Sequence, residues 1–144
     1  MSNDPSGMQM LHASSVAVTG RAVLIRGASG SGKSSLALQL IAMGGVLVSD
    51  DRTCLWREGG ALMLDAPPAI QGRIEARGVG ILNAPAAGPT PAALVVDLGF
   101  EDPPRLPPEE AETILGLPLP LVRGSAAEYF PAAVHLYLLH GRAE

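Results

Sequence analysis

Residues 27–34 run Gly27-Ala28-Ser29-Gly30-Ser31-Gly32-Lys33-Ser34, and this octet decides how the rest of the chain is read. It satisfies G-x-x-x-x-G-K-[ST] at every position. Its context counts as much as the match. Before it, Ala22-Val23-Leu24-Ile25 is a fully apolar run, as in a strand buried on both faces. After it, Ser34–Met43 sets Leu36, Ala37, Leu40, Ile41 and Met43 at helical spacing, and Gly44-Gly45 predicts the helix stop. Strand, glycine loop and helix in this order predict a phosphate cradle over Gly27–Ser35. Glycines let successive N–H groups turn inward, and the helix dipole adds partial positive charge at the same place. Lys33 is placed to reach the terminal phosphates of a nucleotide, and the Ser34 hydroxyl to ligate Mg²⁺.

Outward from the octet, Thr19-Gly20 predicts a hairpin turn between Met10–Val18 and Arg21–Arg26. Val46-Leu47-Val48 is a second buried strand that ends in Asp50-Asp51, and Leu94-Val95-Val96 a third that ends in Asp97. Either strand end offers a metal-side carboxylate. A pair offers more, because one member can face Mg²⁺ while its neighbour accepts a proton from an attacking hydroxyl. A turn or cap role is the alternative for both sites, and Gly99 strengthens it for Asp97. Thr53–Arg57 and Ala61–Leu64 flank Glu58-Gly59-Gly60, another hairpin signal. A proline-rich linker, residues 103–108, precedes an expected short acidic helix over Glu109–Leu115, and Ala127–Leu139 reads as a closing helix. The fold expected is a three-layer α/β domain, residues 10–144, with a mainly parallel core sheet, edge β-hairpins and a flexible lead-in over residues 1–9.

Composition narrows the partners. The 144 residues carry ten Lys+Arg against fourteen Asp+Glu, a net charge of −4, which argues against a nucleic-acid binder. Nine of the ten cations are arginine; Lys33 is the only lysine, so a guanine-specifying N-K-x-D motif cannot be written elsewhere in the chain. One cysteine, Cys54, excludes an intrachain disulfide and fits a reducing cytosol. No signal peptide and no membrane-length apolar run is visible, so a cytoplasmic location is expected. Cys54 and Trp56 share a strand face and read as packing, and His135 and His140 as surface groups.

Three segments together resemble the bacterial HPr kinase/phosphorylase family: Gly27–Ser34, Leu47-Val48-Ser49-Asp50-Asp51-Arg52, and Ile74-Glu75-Ala76-Arg77-Gly78-Val79-Gly80-Ile81-Leu82-Asn83. The last resembles the family signature apolar-E-x-R-G-apolar-G-I-apolar-N. Leu11-His12 resembles its H-G position, with Ala13 in place of glycine. The resemblance spans roughly residues 10–123 at motif level, and it looks like the short, kinase-domain-only form found in alphaproteobacteria. It implies transfer of the ATP γ-phosphate to a serine of the phosphocarrier HPr, in a phosphotransferase system that regulates carbon or nitrogen metabolism, and a phosphoenolpyruvate carboxykinase-like P-loop fold. It implies Asp50 as general base and Asp51 as a group that orients Mg²⁺. Glu75 would be a further metal-side carboxylate beside Ser34, and His12 would hydrogen-bond an aspartate or contact phosphate. Glu75 and Arg77 are equally compatible with a simple salt bridge. Ser35 stands where many members have an acidic residue. The tail Gly124–Glu144 lacks the family's arginine- and asparagine-bearing loop, so the kinase reaction is implied rather than the phosphorylase one, and self-association is left open. The alternatives are a small-metabolite or nucleotide kinase, or a nucleotide-responsive regulatory module without efficient catalysis.

Overall fold

Short connections dictate the direction of most strands. In the computed structural model, which describes residues 7–99 and 103–144, β1 (Gln9–Leu11) is followed by β2 (Ala13–Val18) and β3 (Arg21–Arg26). Thr19 and Gly20 join β2 to β3 with φ of 50° and 78°, and the strands pair antiparallel from Ala13↔Arg26 to Val18↔Arg21. Two central residues at positive φ give the hairpin turn whose twist matches that of its strands. The glycine loop leads into α1 (Lys33–Ala42), and β4 (Val46–Ser49) returns to pair antiparallel with β2. Next come the hairpin of β5 (Thr53–Glu58) and β6 (Ala61–Asp65), and the separate two-stranded sheet of β7 (Arg73–Ala76) and β8 (Gly80–Asn83). The chain continues through β9 (Thr90–Asp97), β10 (Glu110–Ile114), β11 (Leu117–Arg123) and α2 (Phe130–His140).

Nine strands form one large sheet in the order β1-β5-β6-β9-β3-β2-β4, with β11 also on β9 and β10 on β11. Long β9 is its seam: it meets β6 at Thr90 and Pro91, then runs parallel to β3 up to Arg26↔Asp97 and to β11 over Val95–Asp97. Both helices lie on one face, where Val23, Ile25, Leu94 and Val96 pack with Leu36, Leu40, Val134 and Leu138. The other face is covered by the curled part of the sheet itself, with Leu24 and Val95 against Leu55, Leu62, Leu64 and Leu119. Alternate residues of β3 and β9 thus feed two apolar cores.

Several expectations are corrected. Only β3–β9 and β9–β11 pair parallel among the named strands, so the sheet is mixed and mostly antiparallel rather than mainly parallel. Strands apolar on both faces suggest a helix-covered parallel sheet; here strands cover the second face. The expected helix over Glu109–Leu115 is β10 instead. Leu115 and Gly116, at φ 50° and 79°, turn the chain so that Ile114 faces Leu117, and pairing with β11 overrides the helix propensity of an acidic run. Of the lead-in, Gln9 already belongs to β1, and residues 1–6 lie outside the described residues. No helix among the described residues is long and apolar enough to cross a membrane.

One ion cluster ties β10 to the sheet. The Arg26 guanidinium donates to Asp97 at 3.0 Å and to Glu112 on β10. The Arg26 hydrogen bond holds the Glu112 carboxyl below the usual carboxylate range. A depressed folded-state value means that this stabilisation is present above the unfolded value, about 4.3 for Glu, and is lost as pH falls through the folded one. Chemical denaturation from pH 7 down to pH 2 is expected to show Glu112→Gln costing under about 1 kcal/mol at neutral pH, with a flatter acid limb than wild type. Burial, then the Asp65 charge, raises the Cys54 thiol. It stays protonated at neutral pH, so alkylation is expected to be slow in the native state and fast only on unfolding.

Candidate functional site

The site forms where the C-terminal ends of β3 and β4 meet the start of α1. Gly27 (φ 155°), Gly30 (φ 80°) and Gly32 (φ 104°) bend the loop, and a Cβ at Gly27 would lie 2.5 Å from Ser31 Oγ. The loop closes on itself through Ser31 N–H to Ala28 O (3.0 Å), and α1 begins with Leu36 N–H to Gly32 O (3.0 Å). The earlier N–H groups of α1 have no carbonyl behind them within the helix and face the loop. Lys33 is only 5% exposed, and its ammonium donates to Gly27 O (2.9 Å) and Ala28 O (3.1 Å). No carboxylate pairs with it among the described residues. A buried ammonium satisfied only by carbonyls is a charge waiting for an anion.

The two aspartates after β4 diverge. Asp50 is buried, and its carboxylate accepts three hydrogen bonds: Ser34 Oγ (2.7 Å) and Ser14 Oγ (3.2 Å) on Oδ1, and Glu75 N–H (3.0 Å) on Oδ2. Asp51 is the centre of a three-residue turn closed by Arg52 N–H to Asp50 O (2.8 Å), with φ 67°. That conformation is rare for a residue with a side chain, and Asp is one of the few that adopt it. The turn sends Asp51 outward, where its Oδ1 lies 2.6 Å from His12 Nε2. An ionised carboxylate only accepts, so the His12 Nε2–H donates. Ser14 Oγ also accepts the Asp51 N–H (3.0 Å), so one hydroxyl steadies both aspartates.

The β7–β8 hairpin forms the opposite wall. Ile74 is buried against the helix-side core and Glu75 is exposed. A cleft of about 500 Å³ lies between hairpin and loop, with Lys33, Ser34, Asp51, Glu75 and Arg77 among its lining. An adjoining pocket of about 150 Å³ brings in Arg73 beside Asp50 and Asp51. Glu75 and Arg77 form no ion pair with each other among the described residues.

Each expected site residue therefore has a place. His12, Lys33, Ser34, Ser35, Asp51 and Glu75 meet at the loop or cleft, and Asp50 lies behind Ser34. Ser31 points away, toward Gly27. Asp97, the other candidate carboxylate, is taken up by Arg26. Ser14 was not foreseen; its only signal was a hydroxyl inside a strand that is buried throughout. No three His, Cys, Asp or Glu side chains converge on a point among the described residues. Ser34 and Glu75 line one cleft and present oxygen atoms, the donor type taken by Mg²⁺, which uses one or two protein ligands and completes its shell with phosphate oxygens and water.

Comparison with known proteins bears on this geometry. A curated HPr kinase/phosphorylase of Clostridium botulinum (strain Eklund 17B / Type B) is 41% identical over 73 residues, 51% of this chain and 24% of the relative. One from Brevibacillus brevis is 48% identical over 67 residues, 46% of this chain and 22% of the relative. The aligned part is thus only about a quarter of these relatives. The solved structure of the Hpr(Ser) kinase/phosphatase from Coxiella burnetii superposes with a TM-score of 0.77 at 26% identity, covering 91% of this chain and 94% of that one, so the mixed sheet with its two helices is a shared fold. The family described as HPr Serine kinase C-terminal domain matches residues 5–87. That match covers more than half of the chain and contains the glycine loop, the Asp50–Asp51 turn and the β7–β8 hairpin, so the chain belongs to the HPr Serine kinase C-terminal domain family.

Proposed function

We propose that this chain is an ATP-dependent kinase that phosphorylates a serine of the phosphocarrier protein HPr, with a phosphoenolpyruvate carboxykinase-like P-loop fold. The buried Lys33 ammonium, without a carboxylate partner among the described residues, carries the reading. An anion at the head of α1 supplies the missing counter-charge, and a triphosphate supplies it where the loop N–H groups also point. Family membership, and relatives named HPr kinase/phosphorylase, support kinase chemistry with HPr as acceptor over a small-metabolite kinase or a purely regulatory module.

The geometry favours exchanging the roles that the resemblance implies for the two aspartates. Asp50 has three donors on its carboxylate and directs the Ser34 hydroxyl, so most of its acceptor sites are already occupied and it is a good orienting group for the metal side. Asp51 is exposed, its carboxylate has His12 as its one partner among the described residues, and it faces the cleft that an acceptor serine would enter. In this reading Asp51 takes the serine proton, His12 holds Asp51 in place and Glu75 faces the metal from the hairpin. Mg²⁺, when bound, neutralises charge on the β- and γ-phosphate oxygens. Lys33 and the loop N–H groups orient the phosphates and hold the γ-phosphoryl group in line with the acceptor.

With γ-labelled ATP, Mg²⁺ and HPr, label is expected on an HPr serine; label on a small molecule or no transfer at all would overturn the kinase reading. Lys33→Ala should weaken ATP binding by about 10- to 100-fold in calorimetry. Its melting temperature should hold or rise, since the variant removes a buried charge lacking a carboxylate. Asp51→Asn should lower the transfer rate by about 10²- to 10⁴-fold with ATP affinity nearly unchanged. Asp50→Asn should weaken Mg-ATP binding and stability together. The opposite pattern, with binding intact in Asp50→Asn and lost in Asp51→Asn, would restore the original assignment.

A further inference from the structure

Most guanidinium groups of this chain are already engaged. Among the described residues, Arg21 donates to Leu138 O, Arg26 to Asp97 and Glu112, Arg57 to Gly59 O, Arg123 to Glu110 and Arg142 to Glu144 O. Arg52, Arg73, Arg77 and Arg105 have neither a hydrogen bond nor an ion pair from their side chains among those residues. Three of these four border the site. Arg77 lines the cleft of Lys33 and Ser34, and Arg52 and Arg73 line the adjoining pocket together with Ile81. In a chain of net charge −4, this is where unpaired positive charge collects. We propose that Arg52 and Arg73, with Ile81, dock the acceptor protein, and that the acceptor carries acidic side chains beside the serine it offers, an inference that rests on the kinase reading above.

Asp51 and Glu75 line both the cleft and the pocket, and no glycine-loop residue lines the pocket, so it opens beyond the two carboxylates as seen from the loop. Along β7 and its turn, Arg77 lies on the loop side of Glu75 and Arg73 on the far side, each step of two residues covering about 7 Å. In-line transfer brings the acceptor oxygen to the γ-phosphoryl group from the side opposite the leaving phosphate. A serine whose proton goes to Asp51 enters from that direction, with its flanking residues over Arg52 and Arg73. Both arginines stand on fixed backbone. The Arg52 N–H donates to Asp50 O (2.8 Å) and Ser49 Oγ donates to Arg52 O; Arg73 faces Asn83 across the hairpin, where the Ala84 N–H donates to Gly72 O (2.9 Å). Asp51, held by His12, and Glu75 share the pocket yet pair with neither guanidinium among the described residues. The two forks therefore keep their donors for an incoming group, and a guanidinium takes a carboxylate through two parallel hydrogen bonds. At about 150 Å³ the pocket has room for one or two side chains, well below the roughly 300–1,000 Å³ that takes a whole ligand. Ile81, opposite Glu75 on β8 and 64% exposed, adds an apolar contact. Arginine around an apolar contact is the composition of a protein–protein interface.

Steady-state phosphotransfer from Mg-ATP to purified HPr tests this in wild type, the double variant Arg52→Gln/Arg73→Gln, Arg73→Glu, and Arg105→Gln, whose arginine lines neither space. The double variant is expected to raise KM for HPr by about tenfold or more, while kcat and KM for ATP hold. With rising salt, kcat/KM for HPr should fall in wild type and much less in the double variant, because the attraction that salt screens is gone. Arg105→Gln should match wild type. Arg73→Glu should lose transfer and regain it with an HPr in which one acidic residue near the phosphorylated serine is changed to lysine. Both docking arginines are exposed, so the variants should fold; a parallel loss of ATP binding would mark a structural role and overturn the proposal. An unchanged KM for HPr, an unchanged salt dependence, an equal loss in Arg105→Gln, or rescue by none of the lysine variants would also overturn it and leave the kinase reading standing. Absence of transfer to HPr by wild type would instead overturn the kinase reading, and this inference with it.

Discussion

The Asp50 carboxylate is the joint on which the rest of the site depends. Its three donors come from β2 through Ser14, from α1 through Ser34 and from the backbone of β7 through Glu75. Among the described residues, strand, helix and hairpin share no other polar anchor of this kind at the cleft. A buried carboxylate is tolerable only when its lone pairs are occupied, so the need to satisfy Asp50 fixes where each of those elements sits. The same bonds set the direction of the Ser34 hydroxyl and the distance between loop and hairpin. Structural and chemical demands therefore meet on one group, and Asp51, its neighbour, is left free for a different task.

That division of labour rests on backbone geometry. Consecutive residues of a strand point to opposite faces, but the three-residue turn at Asp51 does more than alternate them. It ends β4, closes through the Arg52 N–H, and carries one aspartate outward to His12 while the other stays inside. The positive φ of Asp51 is a local cost, offset by the Ser14 hydroxyl that accepts its N–H. Ser14 is thus a positioning residue for both carboxylates.

Much of the local structure was legible. The β2–β3 hairpin, α1, β4, the β5–β6 hairpin and α2 all follow from turn residues and apolar spacing, signals that act over a few positions. What escaped were features decided across the sheet. An acidic run became β10 because β11 offered it a ladder and Leu115-Gly116 a tight turn. Apolar β3 and β9 read as part of a parallel sheet because burial on two faces looks the same whether helices or strands do the covering. The pairing of Arg26 with Asp97 was equally invisible, since 71 residues separate them and only the parallel register of β3 and β9 brings them side by side.

The sequence by itself determined that a strand, a glycine loop and a helix meet around the only lysine, and that two aspartates follow the next strand. Local sterics and hydrogen-bonding capacity are enough for that. Only the tertiary structure decided which aspartate is sheathed and which is free, and which strand end keeps its carboxylate for the cleft. Those outcomes depend on which donors arrive from distant segments. Burial makes each such arrival decisive, because a polar group withdrawn from water is held by the partners that the fold brings to it.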